Sequence, residues 1–335
     1  MHIAPFITDI SNESIEEISI LKRKLELIEI GLSKIMEQED DIINNASNYV
    51  LNSGGKRIRP ILLELTAMLC GYKGDADILF AQIVEIVHTA TLIHDDIIDD
   101  SDERRGRPSA HITFGNNMSI LLGDYLFSKA MDLAIAYGNQ KILKILSETV
   151  LKMVHGEIIE LLHKWNINLS EQTLIEIIKL KTGYLFSICT QIPAILTNLP
   201  PEKEYALKNF GMNVGIAFQI LDDLLDYTSD DSILGKPTGN DLKEGKITLP
   251  LIFLIPYLTK TEYQKAILPI ENKEYNKIDK NLLISLMKKY NAFEYTKNLA
   301  STYANQAISF LASFDDSSAK LLLKNALKYI LSRQK

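Results

Sequence analysis

The sequence predicts an all-α fold, and three observations carry that prediction. Only 16 glycines and 10 prolines punctuate its 335 residues. Between them, apolar residues recur at i, i+3, i+4 and i+7, the period that lines one face of an α-helix. Stretches alternating apolar and polar residues, the mark of half-buried strands, are almost absent.

The first helix is expected over residues 15–37, where Ile18, Leu21, Leu25 and Ile28 share a face. Pro60 opens the next and Gly71 closes it, following the preference for Pro near a helix start and Gly just past its end. Helical periods then cover residues 76–100, 117–137, 140–164, 171–198, 202–228, 245–258, 281–312 and 316–333. The polar stretch around 270–280 reads as an exposed loop. No linker rich in Pro, Gly or Ser separates compact halves, so one domain over 1–335 is expected, with 1–44 as an N-terminal helical segment.

Hydrophobic residues make up 46% and charged residues 24%, ordinary for a soluble globular chain. The net charge of -7 argues against a nucleic-acid partner, which would call for a basic face. Cys70 and Cys189 lie in apolar surroundings, TAMLCG and FSICTQI, and read as buried thiols in a reducing compartment. The N-terminus is acidic and polar, unlike a signal peptide. No unbroken apolar stretch reaches the ~18 residues of a transmembrane helix. The longest candidate, ITLPLIFLIPYL, is broken by Pro250 and Pro256. A cytoplasmic protein without a transmembrane segment is expected.

Residues 91–105 read TLIHDDIIDDSDERR, and six of the nine residues from Asp95 to Glu103 are acidic. A second cluster, QILDDLLD at 219–226, repeats the spacing of LIHDDIID at 92–99. On a helix, residues four apart stack, so Asp95 is expected over Asp99, Asp96 over Asp100 and Asp222 over Asp226. Each like-charge pair costs about 0.2–0.5 kcal/mol. Acids near a helix C-terminus also oppose the macrodipole. A hard cation offsets both penalties, and Mg²⁺ prefers carboxylate oxygen while keeping positions open for water and phosphate. An EF-hand is disfavoured, because neither cluster has alternating oxygen ligands, a central glycine and a closing Glu.

Bound Mg²⁺ implies a phosphorylated ligand, and its cationic partners are present. GGKRIRP at 54–60 sets Lys56, Arg57 and Arg59 behind two glycines at a helix start. Arg104 and Arg105 follow the first acidic cluster, where an ion pair to the neighbouring acids is an equal reading. GKPTGNDLKEGKITLP at 235–250 carries Lys236, Lys243 and Lys246. Lys181, in KTG, interrupts an apolar helical run and wants an anion. GxSxG, HExxH, CxxC, Walker A and Rossmann motifs are absent.

HTATLIHDDIIDDSDERRGRPSAH, GGKRIRP, GIAFQILDDLLDY and LGKPTGNDLKEGKITLP together resemble the motifs of trans-isoprenyl diphosphate synthases, the polyprenyl synthetase family. The resemblance runs from about residue 45 to the C-terminus, in the family order. It implies a helical bundle around a deep central cavity, usually a homodimer, and head-to-tail condensation of isopentenyl diphosphate with an allylic diphosphate such as farnesyl diphosphate. Mg²⁺ is the implied cofactor, three ions per active site. Carried over residue by residue, Asp95, Asp99 and Asp222 bind Mg²⁺, with Asp96, Asp100, Asp223 and Asp226 as supporting carboxylates. Lys56, Arg59, His88 and Arg105 match the isopentenyl diphosphate positions. Arg104, Lys181, Lys236 and Lys246 match those near the allylic diphosphate, and Thr182 and Gln219 line the site near the cation. A lone His on an apolar helix is often a satisfied core residue. The placement of His88 two turns before Asp95 favours the ligand role.

In this family the residue five before the first Asp often limits product length. Here it is Ala90, with Thr91 beside it, where short-chain members usually place an aromatic. Ala90 is expected to leave the cavity open toward Val87, Ile86 and Ile83. From Asp95 to Ile83 is ~18 Å at 1.5 Å per residue, which suits a product of about C30 to C45 for quinone side chains. The alternatives are a shorter-chain synthase making farnesyl or geranylgeranyl diphosphate, a non-catalytic subunit of a heteromeric synthase, and a terpene cyclase. Both DDxxD motifs and the basic groups count against the subunit, and GGKRIRP and His88 against the cyclase.

Overall fold

The computed structural model describes residues 15–36, 40–51, 54–228 and 239–331. Its main helices are α1 (Ile15–Met36), α2 (Asp41–Leu51), α3 (Ile58–Leu69), α4 (Ala76–Ile98), α5 (Ala110–Phe114), α6 (Asn116–Tyr137), α7 (Gln140–Leu162), α8 (Glu171–Ile178), α9 (Tyr184–Leu196) and α10 (Pro201–Thr228). They continue as α11 (Asn240–Lys243), α12 (Leu249–Leu254), α13 (Lys260–Ala266), α14 (Leu268–Glu271), α15 (Lys280–Lys289), α16 (Ala292–Phe310) and α17 (Ser318–Leu331). Among the described residues, β-structure is confined to one hairpin pairing Glu103–Arg104 with Arg107–Pro108. The expected all-α class holds.

The chain forms two compact units interleaved along the sequence. The first draws on Met1–Glu148, Leu185–Gly211 and Phe310–Tyr329, the second on Thr149–Tyr184, Met212–Ser309 and Ile330–Lys335.

In the first unit α4 is the axis, packed by α1, α2, α3, α5 and α6. Phe80, Ile83, Val84 and Ile86 are fully buried along it. α1 meets it with the predicted stripe of Leu21, Leu25 and Ile28, extended by Leu32, all buried. Each such side chain stabilises the fold by about 1.5–3 kcal/mol relative to exposure. The α6 face mixes small and large residues, with Ser119, Leu122, Gly123, Leu126, Ala130 and Ala134 buried. A Cβ on Gly123 would lie 2.3 Å from His94 Nε2. Glycine there lets the His94 ring reach the Ile120 carbonyl at 3.1 Å.

α4 is long and apolar enough to cross a bilayer by composition alone. A search for unbroken apolar runs overlooks it, because its polar residues are spaced along the helix. It is largely buried, as the core helix of its unit.

The second unit is built on Ile175, Ile178, Ile216, Ile220, Leu249, Leu251, Leu254, Ile267, Leu283 and Met287. Three of its helices, α8, α13 and α15, start on side-chain caps. The Ser170 hydroxyl accepts from the Thr173 amide, and Thr259 and Glu262 form a reciprocal capping box.

Several boundaries differ from the sequence expectation. α2 lacks a clear apolar period, and its Asn-rich sequence buries only Ala46, Ser47 and Leu51. Pro60 sits three residues into α3, still within the first turn, where its missing N–H has no intrahelical partner to lose. The helix expected over 281–312 breaks into α15 and α16 at Asn291, whose φ of 60° is left-handed. Asn tolerates that conformation better than most residues. The run expected over 171–198 is interrupted by a π turn at Lys179–Gly183.

Candidate functional site

The first acidic motif lies where α4 ends. Ile98 is its last residue, and the Asp99 amide still donates to the Asp95 carbonyl at 2.9 Å. Asp95 and Asp99 therefore keep the one-turn stacking expected of them. Asp100 does not stack on Asp96. Its φ of 51° turns the chain out of the helix, and the Ser101 amide closes the end on the Asp96 carbonyl at 2.9 Å. Like-charge repulsion and the helix dipole both favour ending the helix at this point.

The hairpin after α4 turns through Arg105 and Gly106, both at positive φ, as a two-residue hairpin turn requires. That turn brings Arg104 back onto Asp96. The Arg104 Nε donates to Asp96 Oδ1 at 2.7 Å, and Nη2 reaches the same oxygen at 2.6 Å. Asp96 is buried, so its charge is answered inside the protein.

His88 is one of the positions around which cations gather. Burial first, then the charges of Arg59, Arg105, Arg104 and Arg57, hold its imidazole well below the usual histidine range. It is thus neutral at physiological pH, with one ring N–H to donate. Gly55 lies against Arg105, since a Cβ there would come 2.9 Å from Nη1. Lys56 is exposed at the start of this loop. The four residues matched to isopentenyl diphosphate, Lys56, Arg59, His88 and Arg105, thus lie in the first unit.

The second acidic motif ends α10 in the second unit. The Thr182 hydroxyl donates to Gln219 Oε1 at 2.9 Å, and the Gln219 amide donates to Asp223 Oδ1 at 2.8 Å. Burial pushes the Asp223 carboxyl up to about 7 against the Gln219 bond, and Asp222 and Glu160 push it the same way. Asp222 is exposed. Asp226 is engaged with backbone. Its two oxygens accept the Asn240 and Asp241 amides, each at 3.2 Å, and so fix the turn that opens α11. Burial, opposed by those amides, leaves its carboxyl at about 6.

The π turn carries Lys181 and Thr182. π turns recur at functional sites because the extra residue re-aims neighbouring side chains. Lys181 pairs with Glu157 at 2.6 Å and also with Glu160. Lys246 pairs with Glu244 at 2.6 Å. The anion that Lys181 was expected to want is thus supplied by α7, twenty-odd residues upstream, beyond the reach of a local motif. Lys236 lies outside the described residues.

The product-length residues sit on different faces of α4. Ala90 is one turn before His94, on the side that meets α6, and is 3% exposed. Val87, Ile86 and Ile83 are also buried. Thr91 lies one turn before Asp95 on the partly exposed side, its hydroxyl donating to the His88 carbonyl at 2.8 Å.

The donor set suits Mg²⁺. Its atoms are carboxylate oxygens, and burial first, then neighbouring acids, raises the Asp223 and Asp226 carboxyls. Among the described residues no three His, Cys, Asp or Glu side chains form a ready cage. Mg²⁺ is typically held by one or two carboxylates with substrate phosphates completing the shell. Sequence reasoning missed Glu157, Glu160 and Glu85, which are single acids without a motif and take their place only when helices pack.

Two helices that end in aspartate pairs, each with cations at hand, suit the handling of diphosphates with a divalent metal. A family model described as Polyprenyl synthetase matches residues 40–287, and the chain belongs to that family. It is a prenyltransferase. Octaprenyl diphosphate synthase of Escherichia coli (strain K12) is 37% identical over 84% of this chain and 88% of that protein. A polyprenyl synthase from Caulobacter crescentus CB15, solved with calcium and isoprenyl diphosphate, superposes with TM-score 0.90 at 32% identity over 95% of this chain and 97% of that one. A decaprenyl diphosphate synthase from Rhodobacter capsulatus superposes with TM-score 0.89 at 33% identity over 95% and 98%.

Proposed function

We propose that this chain condenses isopentenyl diphosphate head to tail with an allylic diphosphate, farnesyl diphosphate as primer, to build a long-chain all-trans polyprenyl diphosphate for quinone side chains. The carrying observation is the cation cluster around His88 beside the acidic end of α4. The names of the similar octaprenyl and decaprenyl synthases support the long product, as does the absence of an aromatic at Ala90 and Thr91.

In this reading Asp95, Asp99 and Asp222 hold Mg²⁺, with Asp96, Asp223 and Asp226 shaping the carboxylate set. The metal, when bound, neutralises charge growing on the departing diphosphate. Lys56, Arg59, His88 and Arg105 bind isopentenyl diphosphate. Arg104, Lys181, Lys236 and Lys246 bind the allylic diphosphate. Arg104, Lys181 and Lys246 each hold a carboxylate, from Asp96, Glu157 with Glu160, and Glu244 respectively. A diphosphate arriving with Mg²⁺ competes for them, so the cations exchange carboxylate for phosphate. The allylic C–O bond breaks with its electron pair leaving on diphosphate, the C=C of isopentenyl diphosphate attacks the allylic carbon, and the released diphosphate takes the proton from the adjacent carbon. Thr182 and Gln219 turn their dipoles toward the positive charge.

We further propose a cytoplasmic homodimer. On α7, Leu151, Val154, Ile158 and Leu162 form a stripe at i, i+3, i+7 and i+11, exposed by 68%, 53%, 50% and 78%. On α6, Ile120, Leu121 and Ile135 are also exposed. Helix faces this apolar mark interaction surfaces.

The test is incubation of the purified chain with farnesyl diphosphate, labelled isopentenyl diphosphate and Mg²⁺, followed by sizing of the dephosphorylated products. A ladder ending in a long prenyl chain is expected. A dominant farnesyl or geranylgeranyl product would sink the long-chain reading.

A further inference from the structure

GGKRIRP contains a cation that the proposed substrate contacts leave unused. Arg57 stands between Lys56 and Arg59, and its side chain turns away from solvent, with 5% exposure. Its backbone is left-handed, at φ 48° and ψ 38°. Glycine would adopt that conformation without strain, so an arginine here must be held by its side chain.

The guanidinium is held from three helices. Nε donates to Glu29 Oε1 of α1 at 2.7 Å, and Nη2 donates to Glu29 Oε2 at 3.0 Å. Nη2 also donates to the Leu51 carbonyl at the end of α2, at 2.9 Å. Nη1 donates to Glu85 Oε1 of α4 at 2.6 Å. Burial opposes the charge, yet the two carboxylates outweigh it and strengthen the guanidinium's hold on its proton. Glu85 lies three residues before His88, on the adjoining turn of the same helix, and its charge also acts on Arg105.

From this geometry we infer that Arg57, clamped by Glu29 and Glu85, is a positioning residue that sets the spacing between the Lys56–Arg59 segment and the His88–Arg105 side of the isopentenyl diphosphate site, and that α1 belongs to that site through Glu29. The inference rests on the substrate assignment above. Arg57 touches no substrate in it. The rigid fork fixes the backbone on which Lys56 and Arg59 stand, relative to the helix that carries His88. A lysine keeps the charge and loses the fork.

The experiment is steady-state kinetics on wild type, Arg57→Lys, Glu29→Gln and the double variant, varying each substrate in turn, with thermal melts alongside. Arg57→Lys is expected to raise KM for isopentenyl diphosphate about tenfold. KM for the allylic diphosphate should move by less than about twofold, since Arg104, Lys181 and Lys246 bond carboxylates other than Glu29 and Glu85. Glu29→Gln should shift the same KM less. The double variant should be no worse than Arg57→Lys, because Glu29 acts through Arg57. A folded Arg57→Lys chain with an unmoved KM for isopentenyl diphosphate overturns the inference alone, as does a parallel rise in both KM values. A folded wild-type chain that consumes no isopentenyl diphosphate overturns the substrate assignment and the inference with it.

Discussion

Thr182 donates its hydroxyl to Gln219 at 2.9 Å, and the pair joins the π turn to the acidic end of α10. Gln219 in turn is a partner of the buried Asp223. Gln219→Leu leaves that carboxylate without its amide donor and the Thr182 hydroxyl without its acceptor. A loss of about 1–3 kcal/mol follows for such an orphaned group. We expect kcat to fall at least about tenfold with the fold retained, read by product formation and circular dichroism. An unchanged kcat would count against the network.

Asp95→Ala and Asp222→Ala are expected to lower kcat by about 10²–10³ each, the scale of removing one electrostatic stabiliser from an active site. Chelation by EDTA should abolish turnover, and added Mg²⁺ should restore it. Activity surviving both treatments would rule out the metal role of the two motifs.

Ala90→Phe and Thr91→Phe separate two ways of shortening the product. Ala90 is packed on the α6 side, so a ring there should cost about 1–3 kcal/mol of stability as well as shorten the ladder. Thr91 lies on the partly exposed side of α4, and Thr91→Phe should shorten the ladder with a smaller drop in Tm. Identical ladders for wild type and both variants would remove α4 as a limit on chain length.

The N-terminal helix should be held in a pH-dependent way. Lys24 of α1 pairs with Glu64 of α3 at 3.1 Å and also with Asp77 of α4. Burial, then the charge of Asp77, pushes the Glu64 carboxyl from 4.5 up to about 8. The native chain therefore keeps a proton that the unfolded chain has released. Stability contributed by that proton is present in acid and is lost as pH rises through about 8. Urea midpoints should fall between pH ~5 and ~8.5, and Glu64→Gln should flatten the slope. A wild-type midpoint that rises over this range would contradict the assignment.

Leu151→Glu combined with Leu162→Glu should split the proposed homodimer, since both side chains are exposed and apolar on one stripe. Sedimentation velocity should show the half-mass species. A wild-type chain that sediments as a monomer would refute the dimer.

The helical class, the family and the prenyltransferase activity were legible because each rests on contiguous residues. The stripe Leu21, Leu25, Ile28 is a local period, and HDDIIDD and GGKRIRP are local strings. What escaped depends on packing between distant segments. Glu29 and Glu85 meet on Arg57, and Glu157 meets Lys181, with no motif to announce them. The approach of Gly123 to His94 escaped the same way, since it joins residues on two separate helices. Asp100 escaped for a different reason: helical spacing assumes a helix, and the repulsion that made the motif notable also ended it.

The π turn at Lys179–Gly183 also limits how this segment can diverge. It amounts to one inserted residue, and one residue is about 100° of helical rotation. Winding all five regularly, with no residue lost, would swing one flank out of phase. Either Ile175 and Ile178 or Leu185 and Phe186 would then face away from the cores they now fill. No point substitution undoes such a phase shift, so the insertion should persist even where the sequence around Lys181 and Thr182 drifts.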